Sequence, residues 1–315
     1  MKLISVVTGC FNEEDNVDEL YARIRAQFER LDAYDYEHIF IDNASSDGTV
    51  ARIKAIAAND KRVKLIVNTR NFGHIRSPIH ALLQARGDAV IAMASDLQEP
   101  PELIPEFIDK WERGYRVVAG VKPSSAHTTA MTFVRQSFYA TIGRISDTRL
   151  IANFTGFGLY DRAVVEIIRQ LDDPYPYFRG LIADIGFAHA EIPFVQPRRS
   201  RGISKNNFYT LYDMAILGIT SHSKVPIRLA TMAGFALSAL SLLVAIAYLI
   251  YKLVSWEQFS VGIAPVLIGF FFFASVQLFF IGILGEYIAA IHTQVLKRPL
   301  VVEKERINFD AAPPN

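Results

Sequence analysis

Two stretches, Leu229–Tyr251 and Val261–Ile283, each run about 23 residues without a charged side chain, with only Lys252–Ser260 between them. A helix rises about 1.5 Å per residue and the hydrocarbon core of a bilayer is about 30 Å thick, so each stretch is long enough to cross one. One such run alone also fits a helix buried in a soluble core. Two back to back predict a helical hairpin in a membrane. Lys224 and Arg228 precede the first run, and Lys297, Arg298, Lys304 and Arg306 follow the second, whereas the loop between sets Lys252 against Glu257. The excess of basic residues outside the hairpin predicts that both termini face the cytoplasm. Leu3–Thr8 is too short for the apolar region of a signal peptide.

The first 200 residues are of another kind. Short apolar runs at Leu3–Thr8, His38–Ile41, Val63–Val67, Ala89–Met93 and Arg116–Gly120 read as strands. Between them, Val17–Leu31, Thr49–Ala58, Ile75–Ala85 and Glu102–Arg113 carry apolar residues at three- and four-residue spacing and read as helices. Alternation of this kind predicts an α/β domain with a mainly parallel, Rossmann-like sheet covered on both faces. A net charge of +1 over 315 residues gives no field that would favour nucleic acid. The sole cysteine, Cys10, excludes an internal disulfide and fits a reducing compartment.

In a parallel sheet the ligand lies beyond the carboxyl ends of the strands. Polar clusters fall at four successive strand ends: Asn12-Glu13-Glu14, Asp42-Asn43, Arg70-Asn71-Phe72-Gly73 and Ser95-Asp96-Leu97-Gln98. Asp15 and Asp47 read as helix caps. The clusters together describe a nucleotide pocket, with Asn71 among its candidate contacts. No G-x-G-x-x-G or Walker loop is present, so a bound diphosphate needs a metal and basic side chains. Asp96, at a strand end, is the candidate ligand for Mg²⁺ or Mn²⁺. Arg198, Arg199, Arg201 and Lys205 precede the membrane, and Arg135 is a further candidate phosphate contact. Asn206–Ser223 reads as amphipathic helix at the membrane interface.

The strings SVVTGCFNEEDNV, FIDNASSDGT, TRNFGHIRSPIHALLQARGDAVIAMASDLQEPPELI and KWERGYRVVAG resemble family 2 glycosyltransferases with a GT-A fold. RSRGISKNNFYTLYDMAILGITSHSKVPIRLA and FFIGILGEYIAAIHTQVLKRP narrow the resemblance to bactoprenol-phosphate glycosyltransferases, relatives of dolichyl-phosphate mannose synthase. It covers nearly the whole chain. The resemblance implies a GT-A domain over residues 1–200, a basic loop and interfacial helices over 201–228, two transmembrane helices over 229–291 and a cytosolic tail over 292–315. It places base- and ribose-binding acidic positions on Glu13 and Asp42, the metal-binding D-x-D motif on Ala94–Asp96 with Gln98 following, and the basic R-x-x-G-x-x-K segment on Arg199, Gly202 and Lys205.

The chain also departs from that pattern. Ala94 replaces the first Asp of D-x-D, Asn43 and Ala44 replace the second Asp and the Gly of D-D-G-S, and Gly9 replaces a Pro. Gly156 and Gly158 stand where G-D-F-R-L has its Asp and Arg. A phosphate monoester, with a second pKa of about 6, is already a nucleophile at neutral pH and does not need the strong base that a sugar hydroxyl needs. The loss at 156 therefore suits a phosphate acceptor. The expected function is inverting transfer of a sugar from a nucleotide-sugar donor, a UDP-sugar first, to polyprenyl phosphate at the cytoplasmic membrane, with Asp96, Arg199 and Lys205 carrying the chemistry. A member that binds these ligands without turnover is the alternative. Gly282 and Gly285 permit close helix approach and predict a homo-oligomer.

Overall fold

The computed structural model describes residues 1–122, 150–197, 225–254 and 263–309. These fall into two compact units, one built on a sheet and the other on two long helices.

In the first unit, β1 (Lys2–Cys10), β2 (Tyr34–Asp42), β3 (Val63–Asn68) and β4 (Ala89–Ala94) alternate with α1 (Val17–Phe28), α2 (Thr49–Asn59) and α3 (Gly73–Gln84). A 3₁₀ turn at Pro101–Leu103 leads into α4 (Ile104–Glu112), followed by β5 (Val117–Val121), β6 (Phe154–Asp161), α5 (Arg162–Leu171), α6 (Phe178–Ile185) and β7 (His189–Pro193). A last strand, β8 (Glu303–Ile307), returns to the same sheet, whose order is β7-β5-β6-β4-β1-β2-β3-β8. β1 pairs in parallel with β2 and β4, β2 with β3, and β5 with β7. β6 is antiparallel to β4 and β5, and β8 to β3. The domain is α/β with a mainly parallel sheet, as its strand–helix alternation predicts.

The parallel strands read as unbroken apolar runs because helices cover both faces. Successive side chains point to opposite faces. Ile4, Val6 and Phe40 pack with Leu20, Ile24, Ile53 and Phe107 on one side. Val7, Ile39 and Ile41 pack with Leu82, Val164, Ile168 and Leu181 on the other. The register runs from Lys2 opposite Tyr34 to Cys10 opposite Asp42, so β1 and β2 end level.

Three expectations need amendment. α3 begins at Gly73 rather than Ile75, and the residue preceding α1 is Asn16 rather than Asp15. Residues 292–315 are not simply a tail. A long helix ends at Val295, and the chain from Leu296 belongs with the first unit and supplies β8. Asp47 does order a helix start, accepting from the Thr49 amide at 3.0 Å and the Glu14 amide at 3.3 Å.

The second unit holds α7 (Val225–Val254) and α8 (Ile263–Val295). Both are long and apolar enough to cross a membrane. Leu229, Phe235, Leu243, Phe270, Phe271 and Leu278 are exposed along them. Apolar surface on this scale is foreign to a helix of a soluble core.

Candidate active site

At the carboxyl ends of β1, β2 and β4 lies a cavity of about 210 Å³. Gly9, Cys10, Phe11 and Glu13 line it from the end of β1, Asn43 from the end of β2, and Ala94, Ser95 and Asp96 from the end of β4. The first turns of α3 close it with Gly73, His74, Ser77 and Pro78. Glu13 and Asp96 bring two carboxyl groups to one cavity, as the strand-end rule predicts. The Glu13 carboxylate accepts from Asn16 Nδ2 at 2.6 Å. Asp96 Oδ1 accepts from the Gln98 amide at 3.2 Å, which shapes the turn after β4.

Asn43 is the hub of the wall. Its oxygen accepts from the Phe72 amide at 2.8 Å and Asn68 Nδ2 at 3.2 Å, and its Nδ2 donates to Asn71 Oδ1 at 2.9 Å and the Gly73 carbonyl at 3.1 Å. Only an amide can donate and accept in this way. An aspartate would set negative oxygen against two acceptors.

The other candidates are placed less directly. Asp42 is buried and does not line the cavity. Its carboxylate accepts from the Ser45 amide and hydroxyl, and burial outweighs these bonds and pushes it up. Asp42 thus organises the loop that passes through Ala44, a non-glycine residue at φ 62° where the family pattern has Gly. Asn71 is exposed, its oxygen shared between Asn43 and the Gly73 amide. Gln98 donates to the Pro197 carbonyl at 3.4 Å, at the start of the basic segment. Arg135, Arg198, Arg199, Arg201, Gly202, Lys205 and the expected amphipathic stretch 206–223 lie outside the described residues.

Glu99 is the residue that sequence reasoning passed over. Its buried carboxyl accepts from the Ala94 amide at 2.7 Å and the Thr155 hydroxyl at 3.2 Å, tying the end of β4 to the start of β6. Burial, reinforced by Asp96, pushes it up to about 7 against these bonds and Lys122. The available signal was its place three residues beyond Asp96, before Pro100-Pro101. Gly156 adopts φ +106°, which strains any residue with a side chain. A Cβ at Gly158 would collide with the Val118 carbonyl. This backbone does not accommodate the Asp and Arg of G-D-F-R-L.

No group of three His, Cys, Asp or Glu among the described residues is arranged to hold a metal. That excludes a protein-only cage from these residues.

Comparison with known proteins decides the family. Residues 5–168 match Glycosyl transferase family 2. The chain belongs to that family. It is a glycosyltransferase with a GT-A domain. The transferase is 35% identical over 305 residues to the SfII prophage-derived bactoprenol glucosyl transferase of Shigella flexneri, covering 96% of this chain and 97% of that one. It is 32% identical over 311 residues to an uncharacterized glycosyltransferase of Synechocystis, covering 98% and 97%. Among solved structures, the mannosyltransferase of Pyrobaculum calidifontis in complex with GDP-Man and Mn²⁺ is similar at 17% identity and TM-score 0.48, over 94% of this chain and 87% of that one.

Proposed function

We propose that this transferase moves a sugar, with inversion, from a UDP-sugar to polyprenyl phosphate at the cytoplasmic face of a membrane. The observation that carries the reading is the cavity at the strand ends, lined by both Glu13 and Asp96, in a chain that also has two apolar helices long enough to span a bilayer. The near full-length likeness to bactoprenol glucosyl transferases supports the acceptor class and makes glucose the first donor to try.

In this reading Glu13 and Asp42 place the nucleotide, Asp42 through the loop it holds. Asn71 and Gln98 fix the neighbouring turns, Asn71 through its bonds to Asn43 and Gly73. Asp96 holds Mg²⁺ or Mn²⁺, which would offset the charge developing on the leaving diphosphate. Glu99 keeps the Ala94 amide in place and so fixes the turn that carries Asp96. Arg199, Lys205 and Arg135 hold phosphate. The acceptor oxygen attacks the anomeric carbon as the bond to the diphosphate breaks, and its ionisation near neutral pH removes the need for a carboxylate at Gly156.

The test incubates the purified full chain with undecaprenyl phosphate, Mg²⁺ or Mn²⁺ and a panel of nucleotide sugars, and reads glycolipid by mass spectrometry. A product with one donor supports the reading and names the sugar. Nucleotide binding without product from any donor would turn it toward binding without catalysis.

A further inference from the structure

Beside the cavity, three arginines converge. Arg70 and Arg76 set their guanidinium groups against the same Phe72 ring, at 4.0 and 5.5 Å from its centre. Arg76 also donates to the Pro299 carbonyl, which brings in the adjoining Arg298. Like charges gathered in this way repel. Burial, then the field of Arg70 and that of Arg298, hold the Arg76 guanidinium below its ordinary value, while the Tyr175 hydroxyl acts the other way. Arg76 Nε is buried without a hydrogen-bond partner among the described residues. Several arginines of the domain have carboxylate partners, among them Arg169 with Glu166 and Arg306 with Glu303. Among the described residues none pairs with Arg70, Arg76 or Arg298.

An unneutralised set of guanidinium groups selects an anion with several oxygens, and the planar fork of arginine matches phosphate. Two placements indicate which phosphate. Phe72 is followed directly by Gly73 and His74, which line the cavity. Arg298 is the third residue beyond the end of α8 at Val295, and three residues reach at most about 10 Å.

We propose that Arg70, Arg76 and Arg298 form a docking site for the phosphate monoester of the acceptor lipid, which holds it where the chain leaves α8 before it passes into the cavity. The inference rests on the acceptor class proposed above. A monoester is largely dianionic near neutral pH, whereas the diester of a bulk phospholipid such as phosphatidylglycerol carries one charge. Three cations therefore favour the acceptor over its surroundings.

The test measures binding of undecaprenyl phosphate, with no donor present, to the full chain in phosphatidylcholine nanodiscs. Arg70→Gln, Arg76→Gln and Arg298→Gln are each expected to weaken lipid binding about fivefold, Arg76→Lys to recover most of the loss, and UDP affinity to stay unchanged in Arg76→Gln and Arg298→Gln. An excess of phosphatidylglycerol is expected to leave wild-type binding within about twofold. Should Arg76→Gln fail to fold, Arg298→Gln carries the test, since its side chain makes no hydrogen bond among the described residues. Unchanged lipid affinity in the glutamine variants overturns the proposal, as does full displacement of the lipid by phosphatidylglycerol. Because binding is read without turnover, absence of product with every donor counts against the transfer reaction and not against this site.

Discussion

The four hydrogen bonds of Asn43 explain why this chain carries an amide where the family pattern has a carboxylate. Asn68 and Asn71 supply the matching donor and acceptor, so the change belongs to a set and is not the loss of one group. Asn43→Asp is therefore expected to destabilise the domain by about 1–3 kcal/mol, the cost of stranding buried polar groups, measured as a lower midpoint of chemical unfolding. Equal midpoints would contradict the hub role. Glu99 gives a second prediction at this scale. Its carboxyl ordinarily titrates near 4.5 and holds its proton to about 7 in the fold. Between those values the folded state binds the extra proton, so stability falls as pH rises through that window. Glu99→Gln should abolish the fall. Melting curves from pH 5 to 7 would show wild type losing several degrees relative to the variant, and parallel curves would remove Glu99 as the cause.

Among the elements, β8 is the one the sequence concealed. Glu-Lys-Glu-Arg-Ile reads as a charged tail because its partners are remote in sequence. In the fold Glu303 meets His80 at 2.6 Å, Glu305 meets Lys54 at 2.6 Å, and Asn308 donates to the carbonyls of Ala57 and Val63. A charged edge of this kind also blunts pairing with other chains. The strands β1 to β4 were legible for the opposite reason, since burial on both faces leaves an apolar run that no contact map is needed to read. β6 was not, because its glycines answer to backbone approach and to Phe178, neither visible locally. The pocket was legible as strand-end clusters, while the inward turn of Asp42 and the clasp of Glu99 depend on partners brought by folding. Burial pushes Glu303 up, but His80 and Arg306 outweigh it and bring it down to about 2. Its contribution is therefore present above the usual carboxylate value and lost as pH falls toward about 2. Glu303→Gln should speed amide exchange across β8 at neutral pH, with the difference from wild type shrinking on acidification. Exchange as slow as wild type at neutral pH would show that the ion pairs do not hold the strand.

At the scale of the whole molecule, one chain carries a GT-A domain and two helices long and apolar enough to cross a membrane. Glu13 and Asp96 line the cavity, and in the proposed reaction the donor phosphates would complete the ligands of an ion held by Asp96. Two helices able to cross a membrane suit the proposed lipid acceptor, and a phosphate nucleophile would not need a base at Gly156. Asp96 is the residue on which the proposed transfer depends. The most direct test compares wild type with Asp96→Asn in the same nanodiscs, reading glycolipid formation across Mg²⁺ and Mn²⁺ concentrations together with the unfolding midpoint. The account predicts metal-dependent product from wild type, a loss of about a hundredfold or more in the variant, and closely similar unfolding midpoints. Product from the variant at the wild-type rate, or wild-type turnover indifferent to metal, would contradict it.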